Sequence, residues 1–157
     1  MAAAPAPLIP TAVHLGDDAI PWIDTGAGIE LKVLLVREKE GLWIIRNRFQ
    51  PGVRVPTHRH TGPVFGYTVA GAWRYEEYDY VNRAGSFLYE PAGSVHTLNV
   101  PDTNRETTDV WFQMYGCNLN LDADGKVEAV IDGKLVLGFY LGACEAKGLP
   151  PPPVLID

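Results

Sequence analysis

Residues 52–71 read GVRVPTHRHTGPVFGYTVAG, and residues 85–99 read GSFLYEPAGSVHTLN. In the first stretch His58 and His60 stand two apart, so on a strand both imidazoles point to one face. A turn at Gly62-Pro63 follows, then Val64–Ala70, rich in β-branched and aromatic residues. In the second stretch Ser86–Glu90 and Val95–Val100 flank the tight turn Pro91-Ala92-Gly93, and His96 comes just after it. Three imidazoles brought together from such strands occupy one face of a metal ion. Neutral imidazole suits Zn, Fe, Cu or Ni, and three protein ligands leave positions open for water or substrate.

Outward from these stretches, short runs rich in Val, Ile, Thr and aromatics recur at Ile29–Val36, Gly41–Phe49, Ala72–Tyr78 and Val110–Tyr115. Turn residues separate them, among them Gly41, Pro51-Gly52, Gly71, Gly85 and Pro101-Asp102. This spacing predicts an antiparallel, all-β barrel or sandwich. Leu119–Leu121 and Val127–Ile131, joined by Asp122-Ala123-Asp124-Gly125, predict a further hairpin. Leu137, Tyr140, Leu141 and Cys144 fall at i, i+3, i+4 and i+7, which predicts one short helix with Gly148 as its stop. Pro5, Pro7, Pro10 and Pro21 break any helix in residues 1–28, which predicts an arm lying along the domain, with Ala2–Pro7 disordered. Pro150–Pro153 predicts a polyproline II tail packed on the surface or on a neighbouring subunit.

A chain of 157 residues suits one domain. Its formal net charge of −6 opposes binding to a nucleic-acid backbone. No apolar run approaches the roughly 18–20 residues of a membrane helix, and Met1–Pro10 lacks the basic start and apolar core of a signal peptide. Cys117 and Cys144 form neither a disulfide framework nor a metal-spaced pair, which points to a reducing, cytoplasmic compartment. Of the four histidines only His14 lies outside the two stretches, and it reads as a structural or surface residue.

Glycines and a proline stand at fixed offsets from the other three. Gly52, five residues, His58-Arg59-His60, then Gly71 eleven residues later resemble the first motif of the cupin superfamily. Gly85, five residues, Pro91-Ala92-Gly93, two residues, His96 and Asn99 resemble the second. The resemblance runs from about Ile29 to Leu121. It implies a small single-domain cupin, a jelly-roll-like β-barrel, with His58, His60 and His96 as metal ligands. The expected organisation is an N-terminal arm at 1–28, the barrel at 29–121, and a hairpin, short helix and Pro-rich tail at 122–157 packed on it. Two departures stand out. The position four residues after the second histidine, a glutamate in the usual motif, is Val64, and Asn99 comes one residue early. Three neutral histidines leave a divalent ion at +2, which favours an anionic oxygen chelate as substrate.

The stretches HRHTGPVFGYTVAGAW and YEPAGSVHTL further resemble the dihydroxyacetophenone dioxygenase family and, more distantly, the β-diketone (acetylacetone) dioxygenases. That resemblance implies non-haem Fe(II) and O₂-dependent C–C cleavage of a small α-hydroxyketone or diketone. A hydroxyaryl hydroxymethyl ketone would give an aryl carboxylate and formate. Zn, Ni, Cu and Mn are also compatible with the donors, so a zinc-dependent cupin hydrolase or lyase is the alternative enzyme. The barrel portion also resembles the sensory module of zinc-dependent anti-sigma factors, a non-catalytic alternative.

Glu90, immediately ahead of the tight turn, is the carboxylate best placed to fix imidazole tautomers. Val64, Trp73, Tyr75, Glu76 and Gln113 are candidates for the substrate pocket. Trp73 is the first choice to stack on an aryl ketone. Strict alternation puts Tyr75 on the same face as Trp73, and Glu76 joins that face only through a bulge. Most of the other aromatics, including Phe65, Tyr67, Phe87, Tyr89, Trp111 and Phe112, are expected to fill the barrel. The partners implied are a small-molecule substrate and O₂, with no nucleic acid and no membrane. A small open barrel has edge strands that need cover, which points to a homodimer or homotetramer.

Overall fold

The computed structural model describes residues 12–156. Its early strands are β1 (Ile23–Asp24), β2 (Ile29–Arg37), β3 (Leu42–Phe49), β4 (His58–His60) and β5 (Val64–Ala70). Next come β6 (Ala72–Tyr75), β7 (Asn82–Arg83), β8 (Phe87–Glu90), β9 (Val95–His96) and β10 (Leu98–Asn99). β11 (Thr108–Tyr115), β12 (Cys117–Leu121) and β13 (Val127–Asp132) lead into the helix α1 (Gly133–Ala146), and β14 (Leu155–Ile156) ends the chain.

The largest sheet runs in the order β1-β2-β3-β11-β5-β8, with β14 added beside β2. A four-stranded sheet, β13-β12-β4-β9, and a three-stranded one, β10-β6-β7, complete the fold. Period-2 alternation decides what each strand buries. In β11 Val110, Phe112 and Met114 are buried while Trp111, Gln113 and Tyr115 are only partly so. With Val33, Ile45, Phe49 and Val64 they form the apolar inner face of the large sheet.

Gly71 shows why a glycine stands at the β5–β6 turn. Its φ is +74°, and a Cβ there would meet Thr108 Cα at 2.7 Å. The Thr108 hydroxyl occupies that space and holds the turn, donating to the Ala72 carbonyl at 3.0 Å.

The arm does more than lie along the domain. Ile20 and Ile23 are in the core, and β1 pairs with β2. Trp22 is clamped on the outside of the sheet beneath Lys32, Arg46 and Arg48, whose cations lie 4.7, 5.5 and 4.1 Å from its ring. The disorder expected at Ala2–Pro7 lies outside the described residues. The tail, too, finds its partner within the chain: Leu155 pairs with Leu35 in parallel.

The helix begins before its apolar repeat, because Asp132 caps it by accepting from the Leu135 N–H at 2.8 Å. Leu137, Tyr140 and Cys144 are its buried stripe, and Gly148 follows it with φ +67°. Among the described residues no helix is long and apolar enough to cross a membrane.

The aromatics differ most from expectation. Phe65, Tyr67, Phe87 and Tyr89 lie on the outward parity of β5 and β8 and do not fill the barrel. Tyr67, Phe87 and Tyr89 are exposed, and Phe65 packs beside Phe87 and Tyr89 at 6.4 and 5.4 Å between ring centroids. Val64, Gly66 and Thr68 take the inward places on β5.

Candidate metal centre

The buried–exposed–buried pattern of β4 puts His58 and His60 on the inner face with Arg59 outside. His96 on β9 pairs directly across from His58. The three ring centroids form a nearly equilateral triangle with sides of 4.8, 4.9 and 5.0 Å. One ligand nitrogen from each lies within 4.8 Å of the others. The turns that aim these strands hold the motif glycines Gly52, Gly85 and Gly93, at φ of 83, 89 and 87°.

His58 Nδ1 lies 2.8 Å from the Pro56 carbonyl. A carbonyl only accepts, so Nδ1 carries the hydrogen and Nε2 keeps its lone pair for a metal. Burial, partly opposed by the Pro56 contact, pushes the His58 pKa from 6.5 down to about 4, so the ring is neutral and able to ligate at pH 7.

Glu90 reaches into this cluster from β8. Its Oε2 lies 2.9 Å from His60 Nε2 and 3.2 Å from His96 Nε2. Its Oε1 accepts from the Tyr75 hydroxyl at 2.5 Å. The Tyr75 ring stacks on His96, with centroids 3.8 Å apart and planes at 18°. Burial raises the Glu90 pKa, but the two imidazoles outweigh it and hold the carboxyl at about 2. Burial, and then the Glu90 charge, push the Tyr75 phenol well above 10.0.

Glu90 Oε2 and both nitrogens of His96 are buried without a hydrogen-bond partner. Stranded polar atoms are costly, and a cation among them removes the cost. The donors therefore fit a divalent metal, which His58, His60 and His96 would hold.

His58, His60 and Glu90 of the centre line a cavity of about 210 Å³ between the sheets. The large sheet contributes Ile45, Phe49, Val64, Phe112 and Met114, and the small sheet adds Asn118 and Ile131. Val136 of α1 closes one side. Of the expected pocket residues, only Val64 lines this cavity. Trp73 is fully buried behind Phe112 and Tyr75, its indole N–H donating to Thr68 Oγ1 at 2.9 Å, so it is core. Tyr75 faces the histidines and touches Glu90, but not the cavity wall.

No bulge turns Glu76 inward; it is exposed and paired with Arg54 at 2.7 Å. Gln113 takes the outward parity of β11 and donates to the Tyr115 hydroxyl at 3.3 Å. Asn118 was not anticipated. It pairs across from His60, and its Oδ1 is buried without a partner. Its only signal in the sequence is its parity in the β12 hairpin, which cannot be fixed before the register is known.

A sequence profile described as the ChrR cupin-like domain matches residues 11–116. The chain belongs to the ChrR cupin-like family. Among solved structures this cupin is similar to a protein of unknown function with a cupin-like fold from Ralstonia eutropha JMP134. The two are 32% identical over 95% of this chain and 96% of that one, with a TM-score of 0.84. An RmlC-like cupin protein from the same organism is 30% identical over 90% and 92% of the two chains, with a TM-score of 0.85. An acetylacetone dioxygenase from Acinetobacter johnsonii shares the fold at 17% identity, covering 91% of this cupin and 99% of its own chain, with a TM-score of 0.73. A comparison with curated proteins finds no match.

Proposed function

We propose that this cupin is a non-haem Fe(II) dioxygenase that cleaves a C–C bond of a small α-hydroxyketone or diketone. The observation that carries the reading is a cluster of three imidazoles, two of which, His58 and His60, line a small, mainly aliphatic cavity. A dry cavity of about 150 Å³ holds benzene, so about 210 Å³ admits one aryl ring with a short ketone side chain.

Bound Fe(II) would supply Lewis acidity toward two substrate oxygens and electrons toward O₂. His58, His60 and His96 would hold it. Phe112 and Met114 line the cavity and would pack against an aryl group. Ile45, Phe49, Val64 and Ile131 exclude water from the reacting carbons. Asn118 Oδ1 awaits a donor such as a substrate hydroxyl. For a hydroxymethyl aryl ketone the balance is one ketone plus one O₂ giving one aryl carboxylic acid and one formic acid. The bond between the carbonyl and hydroxymethyl carbons breaks, and both atoms of O₂ enter the products.

O₂ consumption by iron-loaded protein, measured with hydroxyaryl hydroxymethyl ketones and β-diketones, tests the reading. Turnover in the wild type and none in His96→Ala is expected. No uptake across that panel would count decisively against it. The competing reading, a zinc hydrolase or lyase, uses the same donors. Elemental analysis of protein purified without added metal separates the two, and a centre that takes zinc and refuses iron ends the oxygenase reading. The reading also places the chain in a reducing, cytoplasmic compartment as a homo-oligomer, with both cysteines free.

A further inference from the structure

We infer that Glu90 is itself a metal ligand, so that the carboxylate missing from the first motif reaches the centre from the neighbouring strand. The inference rests on the metal-binding half of the proposed function and not on its chemistry.

Register supplies the first argument. Val64 occupies the motif position of the glutamate, and Glu90 is its direct partner across the β5–β8 ladder. Directly paired residues project from the same face with Cβ atoms roughly 5 Å apart. A carboxylate absent at 64 is therefore present one strand over, on the same face of the sheet.

Distances supply the second. Glu90 Oε2 stands 2.9 and 3.2 Å from two imidazole nitrogens, yet neither Oε2 nor His96 Nε2 makes a hydrogen bond. Two donors each about 2.1 Å from one ion are separated by about 3.0 Å at a right angle and about 3.4 Å at a tetrahedral angle. The observed spacings are those of neighbouring ligands.

Orientation and charge supply the third. The Tyr75 hydroxyl holds Oε1 at 2.5 Å, which turns the carboxylate so that Oε2 alone faces the histidines. Glu90 is 3% exposed, and no Lys or Arg is among the residues lining the cavity. A buried carboxylate needs a cation, and a metal ion between the imidazoles would supply one. The centre then carries +1 in place of the +2 of three histidines alone, and a monoanionic enolate chelate makes it neutral.

The test is a crystal structure of Co(II)-loaded wild-type protein, with the ion located by anomalous scattering. A Glu90 oxygen within about 2.3 Å of the ion is expected. A carboxylate more than 3 Å away, held off by a water, would overturn the inference. Co(II) titration of Glu90→Gln provides an independent readout. A dissociation constant raised more than 100-fold over wild type is expected, whereas a smaller change is the range of groups that only orient ligands, about 10–100-fold, and would overturn it. Neither measurement depends on turnover, so an inactive protein with Glu90 on the metal defeats the dioxygenase and leaves this inference standing.

Discussion

Burial keeps the imidazole of His58 neutral against the opposing effect of the Pro56 carbonyl, and that state has a cost in acid. Its pKa is about 4 folded against 6.5 for the free side chain. Between those values the unfolded chain binds the extra proton, so stability of the metal-free protein rises with pH through that window. The contribution is fully present above pH 6.5 and lost as pH falls through 4. A shift of this size corresponds to about 3 kcal/mol. Urea midpoints at pH 4.5 and 7.5 should show it, and His58→Gln should flatten the profile. Tyr75 makes a second separable contribution. Tyr75→Phe keeps the ring stacked on His96 but strands Glu90 Oε1, and hydrogen bonds to charged groups are worth about 1.5–3 kcal/mol. Loss of about 2 kcal/mol in the denaturant midpoint is expected, without loss of the His96 environment by NMR.

Strands and turns were legible wherever residue type dictates backbone. Glycines at positive φ mark the motif turns, and the two-residue spacing of His58 and His60 needs only strand alternation to share a face. Spacing puts His58 and His60 on one face, and the resemblance to the second cupin motif adds His96. Gly71 shows how tightly such a turn is specified: Gly71→Ala adds a Cβ 2.6 Å from Thr108 Oγ1 at a φ that disfavours side chains. It should cost more than about 1 kcal/mol, read as a drop in the thermal midpoint. What the sequence could not show was which parity of a strand faces in, because that depends on partners far along the chain. Trp73 and Phe112 are both aromatics on strands near the site, yet only Phe112 reaches the cavity, since Thr68 and Tyr75 hold Trp73 behind it. Glu76 lies one residue past the inward Tyr75 and so falls outside. The pairing of Val64 with Glu90 is likewise a matter of register between strands.

At the scale of the molecule the same parity leaves a sheet face without cover among the described residues. At one end of the large sheet the arm seals the outside, with Trp22 beneath Lys32, Arg46 and Arg48 and Asp109 gripping Arg46 at 2.7 and 2.8 Å. At the other end, across β11, β5 and β8, Trp111, Tyr67 and Phe87 stand in one row and Gln113, Phe65 and Tyr89 in the next. Tyr67, Val69, Phe87 and Tyr89 are 46, 42, 68 and 54% exposed. Together they present on the order of 400 Å² of mostly apolar surface, about the size of patches that mark interfaces. With their partly exposed neighbours this approaches the roughly 800 Å² per partner of a stable complex. The outward positions of β5 and β8 hold no charged residue and Arg46 stands at the border of the patch, so a second copy docking by two-fold symmetry buries a mainly apolar centre, although each chain carries −6. Two twisted sheets pack face to face in this way at about 30°. Light scattering should therefore give a dimer or a multiple of it for the wild type. Phe87→Asp, at the most exposed of these side chains, should shift the mass to the monomer while leaving the far-UV spectrum unchanged. A wild type that is already monomeric, or a Phe87→Asp variant of unaltered mass, would place the interface elsewhere or remove it.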